Sequence, residues 1–392
     1  MGEKIPKGWK KVKLGEVVWF NPKEKLLKGH FAKKIPMEAL SPFTRKIQFF
    51  YLEEYKGGVK FRNGDTLVAR ITPSLENGKT AFVDILKADE IGFGSTEFIV
   101  LRNKKGITDK KFVYYLALSP VFRETAIKSM TGSSGRQRVQ TEVVKNHEIL
   151  LPPLPEQKAI ASVLSSLDDK IDLLHRQNKT LEKMAETLFR QWFIEEAKED
   201  WEEVSLGDSE LAKIIKSGIK KFDGIKIYLA TGDVNDTKIQ GGECITYYKR
   251  PSRANMQPVE FSVWFAKKGG VRKLLMFDDY SDIDNIILST GFTGLKTTEL
   301  SHYYIWCFIL SEEFQEIKDS YVSGTVQPDI NNEGVRQIMI LKPDKETLEK
   351  FNKIVKPYFM KIQSNKNQIR TLEKLRDTLL PKLMSGKVRV KV

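Results

Sequence analysis

Apolar side chains recur every third and then every fourth position from Leu164 to Trp192. Leu164, Leu167, Ile171, Leu174, Asn178, Leu181, Ala185, Leu188 and Trp192 form a seam that is apolar except for Asn178. A stripe of that period marks a helix that packs on another helix along its length. The rhythm returns 191 positions later as Val355, Tyr358, Ile362, Asn365, Ile369, Leu372, Arg376, Leu379 and Leu383, and Thr180-Leu-Glu-Lys183 becomes Thr371-Leu-Glu-Lys374. A seam needs a partner seam to cover it, and this chain carries two. The helices are therefore expected to pair, antiparallel, because the chain must return on itself. The alternative is that each packs separately on its own domain. Asn178 reads as a register-fixing position, and Arg376 as a side chain that snorkels or meets a carboxylate.

The repeat extends beyond the helices. Trp9-Lys-Lys-Val-Lys-Leu-Gly-Glu16 matches Trp201-Glu-Glu-Val-Ser-Leu-Gly-Asp208, and Leu118-Ser119, Phe122 and Gly132 match Leu310-Ser311, Phe314 and Gly324, all 192 positions apart. The stretches between these anchors do not match, so the scaffold is duplicated while the interiors diverge. Each half reads as α+β. In the first, strands are expected at Trp9–Leu14, Thr66–Ile71, Lys79–Ile85, Glu97–Leu101 and Glu148–Leu151, with a helix over 109–130 interrupted near Pro120. In the second, strands are expected at Ile225–Ala230, Phe261–Ala266, Leu274–Phe277, Asn285–Ser289 and Gln337–Leu341, with a helix over 302–321. Gly92-Phe-Gly94 reads as a turn. Pro357 is expected to kink the second long helix or mark a restart, and the tail from Ser385 to Val392 reads as a final β segment. The fold class is thus two pseudo-symmetric globular units separated by two long antiparallel coiled-coil helices. The boundaries fall at 1–153, 154–198, 199–343 and 344–392.

Charge shifts this picture towards a polyanionic partner: 65 Lys and Arg against 51 Asp and Glu leave a formal charge of +14. The two cysteines, Cys244 and Cys307, are too few for a disulfide framework and suit a reducing cytosol. No apolar run approaches the roughly 18–20 residues of a membrane span, so a cytoplasmic protein without a membrane partner is expected.

Catalytic patterns are missing. Asn77-Gly-Lys-Thr80 has the ending of a phosphate-binding loop, but Pro73 stands where its first glycine belongs. Asn21-Pro22-Lys23 lacks the aromatic residue of an amino-methylating site. Neither Pro328-Asp329 nor Pro343-Asp344 is followed by the Glu-x-Lys of a nuclease. His30, His147, His175 and His302 lie apart and at no ligand spacing, so no metal is expected.

Basic, hydroxyl and amide residues are concentrated instead in loops of both halves. Arg70, Thr72 and Lys79 flank a Pro/Asn/Gly turn. Ser133, Ser134, Arg136, Gln137 and Arg138 share one glycine-flanked loop. The second half offers Lys249, Arg250 and Arg253 beside Tyr247 and Tyr248, a basic glycine turn with Lys267, Lys268 and Arg272, and Gln327 and Asn331. Arg reads guanine bidentately, Gln and Asn read adenine, and hydroxyls and backbone N–H groups suit phosphates. Each of these loops read alone is equally an ordinary solvated turn.

Several of these stretches together resemble the type I restriction–modification specificity subunits. The resemblance rests on Gly64-Asp-Thr-Leu-Val-Ala-Arg70, Gly94-Ser-Thr-Glu-Phe98, Gly132-Ser-Ser-Gly-Arg-Gln-Arg-Val139 and Leu150-Leu-Pro-Pro-Leu-Pro-Glu-Gln157. Ser323-Gly-Thr-Val-Gln-Pro328 and Leu383-Met-Ser-Gly-Lys-Val388 add to it. It covers essentially the whole chain, although the second copy departs at Leu341-Lys-Pro-Asp-Lys-Glu346. It implies two target-recognition domains, a helical spacer and no catalysis by the subunit itself. It also implies double-stranded DNA, two methyltransferase subunits and restriction (motor-nuclease) subunits as partners, with S-adenosylmethionine, ATP and Mg held by those partners and no cofactor here. A seam of roughly 43 Å is of the order of one DNA turn, about 34–36 Å, so a gapped target is expected. The alternatives are a stand-alone nuclease or methyltransferase with an unrecognised site, and a structural coiled-coil adaptor.

Overall fold

Alternating patterning becomes strand and the Gly, Asn and Pro punctuation becomes turn. The computed structural model describes residues 5–322 and 329–391. The chain forms two units, Met1–Arg176 with Asn365–Val392, and Gln177–Ser364.

In the first unit, β1 (Lys10–Lys13) pairs antiparallel with β10 (Glu148–Leu151). A central antiparallel sheet runs β2 (Val18–Phe20), β9 (Phe98–Asn103), β6 (Thr66–Ala69), β7 (Thr80–Phe82). A second sheet runs β4 (Tyr51–Glu54), β3 (Phe31–Ile35), β8 (Gly92–Gly94), β5 (Val59–Phe61), with β3 and β8 parallel. The central sheet is buried on both faces, because successive strand side chains point opposite ways. Leu67, Phe98 and Val100 pack with Ile35 and Phe61 of the second sheet, while Val68, Ile99 and Leu101 pack with α2 (Lys110–Leu118) and α3 (Pro120–Lys128). Asp109 caps α2 by accepting from the N–H groups of Lys111 and Phe112, and Pro120 opens α3, which is the expected interruption. The short helices α1 (Leu14–Val17) and α4 (Thr141–Asn146) complete the unit up to α5 (Leu154–Arg190).

The second unit repeats the plan. β11 (Glu203–Ser205) pairs with β22 (Met339–Leu341). The central sheet runs β12 (Ala212–Ile214), β21 (Phe292–Thr297), β18 (Ser262–Ala266), β19 (Leu274–Phe277). The second sheet runs β16 (Glu243–Ile245), β13 (Lys226–Leu229), β20 (Ile286–Ser289), β17 (Ala254–Met256), again with a parallel pair, β13 and β20. A small hairpin, β14 (Val234–Asn235) and β15 (Lys238–Ile239), follows β13. The helices are α6 (His302–Leu310), α7 (Glu312–Ser320), α8 (Asn332–Gln337) and α9 (Lys345–Met384). Strand for strand, the order matches the first unit, so topology is conserved where sequence is not.

The long helices meet in both units. In the first, Ile160, Ala161 and Leu164 of α5 share a core with Trp9 and with Leu380, Leu383 and Met384 of α9, while Ile171 and Leu174 pack with Ile369 and Leu372. Rising numbers on one helix meet falling numbers on the other, so the pair is antiparallel. In the second, Leu181, Ala185, Leu188 and Phe189 cluster with Phe351, Val355, Tyr358, Phe359 and Ile362. Of the seam positions, Leu167, Leu188, Tyr358 and Leu379 are half-buried, and Asp168, Phe189, Phe359 and Leu380 beside them are buried. A helix of 3.6 residues per turn drifts against a 3.5-residue seam, and globular walls broaden the covered face.

Three expectations are corrected. Gly92–Gly94 is a buried strand, and its glycines are there for close approach: a Cβ on Gly92 would stand 2.6 Å from the Phe61 ring, and one on Gly94 would strike the Ile35 carbonyl. Pro357 starts no new helix; α9 passes through it, held by Val355 and Phe359 in the core on either side. The tail after Ser385 is turn and coil, not strand, in the described residues up to Lys391. It is held by side chains instead. The Arg389 guanidinium donates to both oxygens of Glu156 (2.9 and 2.7 Å), and the Trp9 indole N–H donates to the same carboxylate (3.0 Å).

The second unit repeats this device with Trp201 and Lys198 both donating to Asp344 (3.2 and 2.6 Å). Lys198 and Arg389 are one repeat apart. Hydrogen bonds from Arg389, aided by Trp9, hold the Glu156 carboxyl below its usual range. A depressed folded pKa contributes stability that is present above the unfolded carboxyl pKa and is lost as pH falls through the folded value. Thermal denaturation should therefore show wild type above Glu156→Gln near neutral pH, with the gap narrowing as pH falls below the ordinary carboxylate range. A gap that stays constant across that range contradicts the network.

Candidate nucleic-acid interface

In each unit the turn of the central hairpin is tied to the loop that follows the paired short helices. In the first unit the β6–β7 connection holds Arg70, Thr72 and Lys79, and the loop Thr131–Arg138 is stitched to it. The N–H of Arg70 donates to the Glu97 carbonyl (2.9 Å), that of Val139 to the Arg70 carbonyl (2.9 Å) and that of Thr72 to the Gln137 carbonyl (3.1 Å). Gly132 and Gly135 take φ of +132° and +77°, which lets the loop double back. Arg70, Thr72, Gln137 and Arg138 are thereby brought together, with Ser133, Ser134 and Arg136 exposed on the same loop.

These residues are not equivalent. Arg138 already has a carboxylate: its Nε and Nη2 donate to Glu97 (3.0 and 2.7 Å). Any anion approaching Arg138 competes with that pair, whereas among the described residues Arg136 has no carboxylate in range. The Lys79 ammonium donates to the Met37 carbonyl (3.2 Å) and so braces the turn. The half-buried Arg70 reaches the Val139 carbonyl (3.4 Å), and the Thr72 hydroxyl makes a long contact to the Met130 sulfur (4.0 Å).

The second unit reproduces this stitching around β18–β19. The N–H of Lys267 donates to the Gly291 carbonyl and that of Ile330 to the Lys267 carbonyl (both 2.9 Å), the counterparts of Arg70 and Val139. Lys268 bridges to Asp329 through the backbone as Ile71 does to Arg138. Arg253 joins the same end, its carbonyl accepting from Thr290 (2.9 Å) beside Gly291. Burial lowers the pKa of Lys267, while Lys268 and Arg253 are exposed. Arg272 is held by Asp236 (3.2 Å) and the Leu310 carbonyl (2.9 Å). In the β16–β17 connection the Arg250 guanidinium lies over Tyr247 (4.1 Å), and Lys221 over the exposed Tyr248 (5.2 Å), with Lys249 exposed beside them. Asn331 caps α8, its side-chain oxygen accepting from the Gly334 N–H (2.8 Å). Gln327 lies outside the described residues.

Two cations in these surroundings escape the sequence reading. Arg123 of α3 donates to the Glu76 carbonyl in the β6–β7 turn (3.1 Å) and stands over Phe43 (4.7 Å). Lys318 of α7 is buried, and its ammonium donates to the Val271 carbonyl (2.9 Å), which ties down the turn that carries Lys267 and Lys268. Its signal was a lysine on the apolar face of a helix, where Ala126 stands one repeat earlier.

Among the described residues no group of three or more His, Cys, Asp or Glu is placed to hold a metal ion. His302 is a core residue: its Nδ1 meets the Thr297 hydroxyl (2.9 Å), and burial pushes its pKa down to about 3. Cys307 is buried, which raises its thiol pKa. No described helix is long and apolar enough to cross a membrane.

Residues 6–183 match the family model for the type I restriction modification DNA specificity domain. The chain is 27% identical to the type I restriction enzyme MjaIX specificity subunit of Methanocaldococcus jannaschii, over 99% of this chain and 95% of that protein. It is 32% identical to the EcoAI specificity subunit of Escherichia coli over 51% of this chain and 36% of that one. A crystal structure of the type I restriction–modification S subunit from M. genitalium shares the fold, with a TM-score of 0.53 at 18% identity over 98% of this chain and 97% of that one. With a duplicated α+β scaffold, paired repeat helices and basic turns at matching strand ends, the chain is similar along nearly its whole length to the type I restriction–modification specificity subunits.

Proposed function

We propose that each unit reads one part of a split double-stranded DNA site with the residues gathered at its central hairpin. One observation carries this: two units of identical strand order and divergent sequence present cations at matching strand ends. Arg136, Lys268, Lys249 and Arg253 supply phosphate contacts, and Arg70 and Gln137 read base edges, while Asn331 serves as the cap of α8. The chain works as the recognition subunit of a larger enzyme, joining two methyltransferase subunits and, in the full complex, the motor-nuclease subunits. Those partners hold S-adenosylmethionine, ATP and Mg, and this chain holds none of them and has no active site of its own. The long repeat helices act as the spacer that sets the gap in the target.

Gel shifts over a salt series test the reading. Binding to target DNA should weaken linearly in log salt, and Arg136→Ala or Lys268→Ala should each reduce the slope by about 1. Arg138→Ala should cost less than Arg136→Ala, since Glu97 already neutralises it. Binding that is independent of salt contradicts the reading and favours a structural adaptor.

Inserting seven residues into both α5 and α9 should lengthen the preferred gap in the target; an unaltered gap rules out the spacer role. The purified chain given DNA, S-adenosylmethionine, ATP and Mg should neither methylate nor cleave, and turnover by the pure chain would establish the enzyme alternative.

A further inference from the structure

The paired helices carry a polar arrangement in one unit that their repeat mates lack in the other. In the first unit Asp168 of α5 and Arg376 of α9 are both buried and joined at 2.9 Å, and the Tyr115 hydroxyl of α2 donates to the other Asp168 oxygen at 2.6 Å. Arg376 also donates to the Phe43 carbonyl (3.2 Å). Both carboxylate oxygens are thus satisfied, as burial of charge demands. The helix repeat maps Asp168 to Phe359 and Ala185 to Arg376, each 191 positions on, and the α2–α6 repeat maps Tyr115 to Cys307, 192 on. Cys307, Phe359 and Ala185 are all buried in one apolar cluster of the second unit.

Two helices related by a repeat are each other's mimics, so α5 is shaped to accept a second α5, and α9 a second α9, from another copy of this chain. In such a pairing the repeat relation sets Asp168 of one copy against Ala185 of the other. Likewise it sets Arg376 against Phe359. An α5 pair would bury two carboxylates with no cation across the helix interface, and an α9 pair two guanidiniums whose carboxylate is the neighbouring, exposed Asp377 alone (3.0 Å), whereas α5 against α9 joins the two charges directly. We infer that the Asp168–Arg376–Tyr115 arrangement makes the helices mutually selective, admitting the unlike helix and rejecting a second copy of the same one. Its role is discrimination, because well-packed apolar replacements of buried ion pairs are often neutral or stabilising.

The test converts the first unit's pair into that of the second. Full-length Asp168→Phe/Arg376→Ala, with Tyr115→Phe to remove the orphaned hydroxyl, is refolded from urea over roughly a hundredfold range of concentration and weighed by light scattering. The dimer and larger fraction should rise about tenfold or more over wild type at equal concentration, since breaking a buried pair is strongly disfavoured. If that variant does not regain native circular dichroism, Asp168→Asn/Arg376→Gln poses the same question with neutral side chains of similar shape. A folded variant of either kind with the wild-type mass distribution overturns the inference.

Discussion

The end of α9 completes a core that the first ten residues of the chain begin. Leu380, Leu383 and Met384 at the end of α9 lie in one cluster with Trp9, with Tyr115 of α2 and with Leu164 of α5. Without them the apolar face of α5 from Ile160 to Leu164 and the floor of α2 would face water. Covering side chains of that size contributes about 1.5–3 kcal/mol each, comparable with the whole margin by which a domain is stable. The Glu156–Arg389–Trp9 network, the Asp168–Arg376 pair and the bracing of the Phe43 loop all depend on α9 arriving there. So does the β6–β7 turn: Arg376 holds the Phe43 carbonyl, the Phe43 N–H donates to the Gly78 carbonyl (3.1 Å), and Gly78 lies between Arg70 and Lys79.

Much of this was legible in the sequence because it rests on periodicity. The two seams predicted helix pairing and its antiparallel sense, and Trp9/Trp201 with Leu118/Leu310 predicted the duplication. The central strands announced themselves through buried β-branched and aromatic runs such as Phe98–Leu101 and Ser262–Ala266. In the second sheet of the second unit β13 and β20 did so too, but the second sheet of the first unit did not. Phe31–Ile35 and Tyr51–Glu54 carry lysines and glutamates among their apolar residues, and Gly92–Gly94 looks like a turn until the Phe61 ring against it is known. Strands whose identity comes from a neighbour's surface leave little local signal.

The candidate interface was legible as composition but not as geometry. Arg136 and Arg138 read alike in the chain, yet Glu97, 41 residues from Arg138, pairs with only one of them. Lys79 and Asn331 read as recognition residues, and the fold gives their polar atoms to the Met37 carbonyl and the α8 N-terminus. Lys318 was passed over because a lysine in a helix is usually solvated. What the structure adds is that the two halves, unlike in sequence, bring their basic turns to equivalent places by the same three backbone stitches.

The claim beneath all of this is that the second half of α9, from Asn365 on, is an integral part of the first unit. Native-state hydrogen exchange tests it most directly. Amides of Ile160–Leu174 and Ile369–Met384 should open together, with the same free energy and the same denaturant dependence as α2, as one cooperative unit. If Ile369–Met384 exchanges at the rate of a solvated helix while α2 and the start of α5 remain protected, the account is wrong.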